Sequence, residues 1–142
     1  MKNSIFMGFP AFLLIVLGSF HVHAAAIPLI TEAQKQESVK TIMDFGEEIK
    51  ATISQQGRLV SLAITVDEGI LDSDAKSLAR SFVRAVKIFS PDLYQDEEAL
   101  GTGIYDYRVT VRNPGGKELV SGVKMADQSE MEWTFPPTGK GD

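Results

Sequence analysis

The chain reads as an α+β protein: a two-layer fold with two helices packed on one face of a four-stranded, mostly antiparallel sheet. Three observations predict it. Apolar residues recur at three- and four-residue steps over residues 31–56 and 72–89, the period of a helix face. They alternate singly over 60–66 and again over 105–111 and 131–135, the period of a half-buried strand, and a further strand is expected between the turns, over 117–125. Dense turn signals separate the later segments: Asp67-Glu68-Gly69, Asn113-Pro114-Gly115-Gly116 and Asp127-Gln128-Ser129. The order is helix, strand, helix, then a three-stranded meander.

The first helix is expected from Thr31 to Gln56. Thr31 and Gln34 form a capping-box pair, and Val39, Ile42, Met43, Gly46, Ile49 and Ile53 follow on one face. Phe45 widens that face, and Gly57 stands where the helix would stop. Val60, Leu62, Ile64 and Val66 then make the buried side of the first strand. Asp72 or Ser73 is the expected cap of the second helix, whose apolar face is Ala75, Leu78, Ala79, Phe82, Val83, Val86 and Phe89. Ser90-Pro91 ends it, because a residue before proline is pushed out of helical geometry. Past an acidic loop, Tyr105, Tyr107, Val109 and Val111 begin the meander, which continues through residues 117–125 and closes with Met131, Trp133 and Phe135.

The N-terminal 26 residues have the layout of a secretory signal peptide. Lys2 supplies a positive start, Ile5 to Leu17 an apolar run, and Ala24-Ala25-Ala26 a small-residue end. Cleavage fits after Ala24 or after Ala26, with the second preferred. An uncleaved membrane anchor is the alternative, since Ile5 to Val22 is near the minimum spanning length. The expected organisation is a signal peptide over 1–26, one α+β domain over 27–135 and a disordered tail over 136–142.

Removing the leader has a chemical consequence. Both histidines, His21 and His23, belong to it, and the chain has no cysteine. The remaining body cannot build a Ser-His-Asp or Cys-His arrangement, the usual zinc site or an iron–sulfur cluster. No cofactor or metal is therefore expected, and catalysis is less expected than binding. An exported small domain without disulfides suits the bacterial periplasm, with secretion to the medium as the alternative, better than a eukaryotic secretory route. The body carries 13 Lys plus Arg against 19 Asp plus Glu, so nucleic acid and anionic membrane surfaces are poor partners.

Two surfaces stand out as candidate sites. Lys76, Arg80, Arg84 and Lys87 fall at steps of four, four and three along the second helix, where no acidic residue occurs from Ala75 to Pro91. They read as a docking stripe for an anionic partner or ligand, or as an ordinary solvated face that complements the helix dipole. Met131, Trp133 and Phe135 would accept an added strand if theirs is the sheet edge. Other motifs are weaker. Ser73-Asp74-Ala75-Lys76 matches S-x-x-K without its partner motifs. The acidic groups Asp67, Glu68, Asp72, Asp74 and Asp92, Asp96, Glu97, Glu98 lack calcium-loop spacing.

The leading expectation is an exported periplasmic interaction domain without activity of its own, docking another envelope protein. A small-anion carrier anchored by Arg80 or Arg84 is the alternative. A hydrolase using a pair from Asp67, Glu68, Asp72 or Asp106 comes third.

Overall fold

A computed structural model describes residues 26–94 and 98–134. Among the described residues the fold is α+β, with two helices and a five-stranded mixed sheet. The first helix, α1, spans Glu32–Met43. Its N-terminus is the expected capping box: the Gln34 amide donates to Thr31 Oγ1 at 3.2 Å, and the Thr31 amide donates to Gln34 Oε1 at 2.9 Å. Two of the amides a helix start leaves without partners are thereby satisfied.

Residues beyond Met43 depart from the expected continuous helix. The chain turns over 44–49 and enters β1, Lys50–Gln56, so Ile49 and Ile53 are not helical. The reason lies in their spacing. Positions four apart share a face on a helix and equally on a strand, so Ile49 and Ile53 fit both periods. The Asp44-Phe45-Gly46 sequence breaks the helix, and β-branched Ile49, Thr52 and Ile53 favour the pleated alternative once β2 is there to pair with. Gly57, expected as a helix stop, instead turns a two-residue hairpin. Its φ of 60° and the absence of positive φ at Arg58 follow the II′ pattern of tight hairpins.

The hairpin leads into β2, Leu59–Thr65, which pairs antiparallel with β1 from Gln56↔Leu59 to Lys50↔Thr65. The chain then crosses through α2, Asp72–Phe89, to β3, Asp106–Arg112, which lies parallel to β2. A parallel neighbour needs such a crossover, and α2 supplies it. A hairpin at Asn113–Gly116 returns β4, Glu118–Lys124, antiparallel to β3 with a bulge near Arg112. Last comes β5, Glu132–Thr134, antiparallel to β4. The sheet order is β1-β2-β3-β4-β5. The first strand foreseen from sequence, now β2, is internal.

α2 starts without the expected side-chain cap. Its N-cap is Leu71, while Asp72 and Asp74 sit inside the first turn, where carboxylates suit the positive helix end. It ends at Ser90, extended at φ −100° and ψ 175°, as the following proline requires.

One face of the sheet carries the core. Val60, Leu62 and Ile64 of β2, Tyr107, Val109 and Val111 of β3, and Val120 of β4 are buried beneath Ala75, Ala79, Phe82, Val83 and Val86 of α2. Each fully buried Val, Leu, Ile or Phe contributes about 1.5–3 kcal/mol relative to exposure. α1 packs on α2 and β1, with Ile42 and Ile30 joining the core. The segment before α1 is tied down too, because the Pro28 carbonyl accepts from Tyr105 Oη at 2.7 Å and Gln55 Nε2 at 3.1 Å.

The expected leader up to residue 25 and the expected tail from 136 lie outside the described residues. Among the described residues, no helix is long and apolar enough to cross a membrane.

Candidate functional site

The four basic residues of α2 do not share one solvent-facing stripe. Lys87 is in the core, 1% exposed, with its Nζ 3.3 Å from Asp92 Oδ2 and 3.2 Å from the Thr102 carbonyl. Arg80 is spent on the protein itself: Nη2 and Nε reach Glu130 at 2.8 and 3.2 Å, and Nη2 also bonds the Glu98 carbonyl. That hydrogen-bonded contact raises the Arg80 pKa and holds the Glu130 carboxyl below its ordinary range. The Lys76 ammonium lies 5.3 Å from the centroid of the Trp133 ring. Arg84 is half-buried, with Nε closed off from solvent. Helix periodicity places these residues on one side, but that side faces the β5 lead-in and the 98–104 loop.

Lys87 belongs to a buried polar cluster that the sequence reading missed. Asp92 Oδ1 accepts the amides of Leu93 and Ile104 at 2.8 and 2.6 Å, while its Oδ2 accepts from Lys87 and the Tyr107 hydroxyl. Lys124, fully buried, lies with its Nζ 5.9 Å from the Tyr107 ring centroid and 3.3 Å from the Met125 carbonyl. Burial pushes the Tyr107 hydroxyl far up and the Lys124 ammonium down, Lys87 adding to the second shift by repulsion. Gly103 presses on this cluster so closely that a β-carbon there would collide with Asp92 and Lys87. Alternation gave one usable signal, since Lys124 has the inward parity of Val120 and Gly122.

An open crevice of about 620 Å³ lies on the far side of Gly103, lined by Arg58, Thr102, Asp106, Met125 and Asp127. Asp106 uses its Oδ1 to accept the Ala126 amide at 2.7 Å, holding the turn after β4. It starts β3, whereas Asp67, Glu68 and Asp72 follow the other end of parallel β2, a strand length of roughly 20 Å away. The fold therefore does not bring Asp106 together with the other three carboxylates.

The two sheet edges differ sharply. Among the described residues β5 has three, and its Trp133 sits opposite Gly122 on the helix side, where the ring fills the space a side chain at Gly122 would need. Met131 is buried, and Phe135 lies outside the described residues. β1 is seven residues long, as long as the central strands, and has a strand on one side only among the described residues. Arg58 and Val66 bond to β3, so the alternating backbone groups of β2 between them also point that way. Leu59, Ser61, Ala63 and Thr65 are left to bond Gln56, Ser54, Thr52 and Lys50 of β1. The backbone groups of Ala51, Ile53 and Gln55 consequently point outward along the free edge.

A groove of about 490 Å³ runs beside that edge, between β1 and α1. Val39 and Met43 of α1 and Ile53 of β1 give it an apolar floor, with Lys35, Lys40 and Thr52 on its walls. Thr52 and Ile53 point to opposite faces of β1, so a groove touching both opens at the strand's outer edge. Met43 is 43% exposed and nearby Phe45 62% exposed. Helical spacing from Val39 to Ile53 hides this edge, because it places all of these residues on one helix.

No family model and no curated protein matches this chain. Among solved structures, the fold is similar to that of a sex pheromone precursor from Lactobacillus salivarius subsp. salivarius UCC118, at 10% identity and a TM-score of 0.51. The alignment covers 72% of this chain but 28% of that one, so the likeness is one of fold over a part of the larger protein.

Proposed function

We propose that this chain is an exported interaction domain without catalytic activity, and that it docks its partner by strand addition at β1. The partner is an extended segment of another envelope protein, and the compartment is the periplasm. A single observation carries the reading: a seven-residue strand, with no strand on its outer side among the described residues, lies beside a groove with an apolar floor. A row of outward amides and carbonyls at strand spacing is satisfied by another extended backbone, not by a helix or a compact small molecule. Pro136-Pro137 follows the opposite edge strand in sequence, a signal that blunts edge pairing.

The basic residues of α2 support this choice by subtraction. Arg80 and Lys87 already serve internal partners, so the docking role moves from that helix to β1. A second reading, a small-ligand carrier, is favoured only by the crevice at Arg58, Asp106 and Asp127.

Capture from a periplasmic extract, run in parallel with two variants, tests the proposal. Ala51→Pro removes an outward amide without touching the β1–β2 ladder, as proline on a free edge permits. It should abolish capture, while Arg80→Ala should leave it intact, and high salt should weaken it little. Capture that survives Ala51→Pro and fails with Arg80→Ala would return the docking role to α2.

A further inference from the structure

Resting on strand addition at β1, we infer that, until the envelope partner binds, this edge is occupied by β1 of a second copy of the chain, which the partner strand displaces. Two five-stranded sheets would then join across a two-fold axis at Ile53. The groove dictates what an added strand must look like. Side chains on the helix side meet a floor of Val39, Met43 and Ile53, which suits apolar or small groups, inside a rim that includes Glu32, Lys35, Gln36, Lys40 and Asp44. Side chains on the other side lie next to exposed Thr52 and Ser54 and must be polar. A segment close to that alternation is present in the chain itself: Ala51, Ile53 and Gln55 point to the helix side, the Gln55 side-chain amide already bonded to Ile30, Pro28 and Gly57, while Lys50, Thr52 and Ser54 point away from it.

Self-pairing about Ile53 is also free of electrostatic conflict. In the antiparallel register, Ile53 faces Ile53 of the other copy, Ala51 faces Gln55, Thr52 faces Ser54 and Lys50 faces Gln56. No like charges are opposed, and Thr against Ser is a favourable cross-strand pair. The outward groups of Ile53 meet the same groups of its copy, the self-complementarity that a two-fold interface demands. The exposed Met43 and Phe45 beside the groove add apolar surface at the same junction.

Light scattering and sedimentation equilibrium on the exported protein read the outcome. The expected mass at roughly ten to a hundred micromolar is twice that of the chain, falling to one chain on dilution. Ala51→Pro should weaken association at least about tenfold, with the melting temperature checked to show a folded monomer. A charge pair gives the stricter test, because Thr52 and Ser54 are exposed in the monomer. T52K/S54K alone and T52E/S54E alone should each be monomeric, whereas mixing them should restore a dimer containing one of each.

A wild-type protein that stays monomeric overturns the inference, as does a dimer indifferent to all three variants. Should the monomer still capture an envelope protein in a manner lost in Ala51→Pro, strand addition stands and only the second copy falls. Capture insensitive to Ala51→Pro by a monomer removes both.

Discussion

Lys87 Nζ lies 3.3 Å from Asp92 Oδ2, and neither side chain is exposed to solvent. A buried pair of this kind is fragile to the loss of one partner, since the charge left behind has no water to receive it. Asp92 also holds the Leu93 and Ile104 amides and the Tyr107 hydroxyl, so this carboxylate fastens both ends of the loop between α2 and β3.

Asp92→Ala should therefore destabilise the protein by about 3–5 kcal/mol, a large share of the roughly 5–15 kcal/mol that holds a domain folded. Urea denaturation measures this. The double variant Lys87→Met with Asp92→Ala should be less destabilised than Asp92→Ala alone. Simple additivity would mean that the two charges are not coupled.

Gly103→Ala tests the close approach over the same cluster. The added methyl group has no space against Asp92 and Lys87, so a cost of about 1–3 kcal/mol is expected. Gly115→Ala serves as the control, because the β-carbon there meets only Asn113 Oδ1 at 3.4 Å. Equal melting temperatures for the two variants would contradict the packing described.

The pH dependence follows from Lys124 and Tyr107. Burial favours the neutral amine of Lys124, so the unfolded chain binds more protons than the folded one below the ordinary lysine value of 10.5. Stability should rise with pH as that value is approached from the lowered one of the folded state. Tyr107 acts in the opposite sense above 10.0, where the unfolded phenol ionises and the buried one does not. Melting temperature should thus climb into the alkaline range and then fall. Lys124→Met should flatten the climb and be neutral or stabilising.

Arg80 and Glu130 give a smaller effect at the acid end. The carboxyl of Glu130 is held below 4.5 by the Arg80 hydrogen bonds, so its contribution is present above that value and lost as pH falls through the lowered one. Both groups are partly solvated, with side-chain exposures of 29% and 46%, which limits the pair to about 0–1 kcal/mol. Glu130→Gln should remove that part of the acid sensitivity, and added salt should shrink the difference from wild type.

Much of the fold was legible in the sequence because local signals agreed with tertiary demands. The Thr31–Gln34 box, the Ser90-Pro91 stop and the Asn113–Gly116 turn are local, and each is found where its residues suggest. The misreading of residues 44–56 was of another kind. An Ile49–Ile53 spacing of four satisfies both periods, and only pairing with β2, a non-local event, decides for the strand. That error hid the free edge and its groove, since an edge exists only in a sheet whose order is known. The basic residues of α2 show the converse. Spacing located them on one side of the helix, but a lysine that enters the core and one that remains outside look the same in a sequence. Asp92 supplies the difference for Lys87, and it lies in a loop whose path no periodicity describes.

The most direct measurement is amide hydrogen exchange at Ala51 and Ile53, read residue by residue. With β1 free, both outward amides should exchange rapidly while those of Thr52 and Ser54, bonded to β2, stay protected. When the partner strand adds, Ala51 and Ile53 should become protected and the rest of the sheet should change little. Ala51 and Ile53 amides that remain unprotected in the partner-bound protein would contradict docking at this edge.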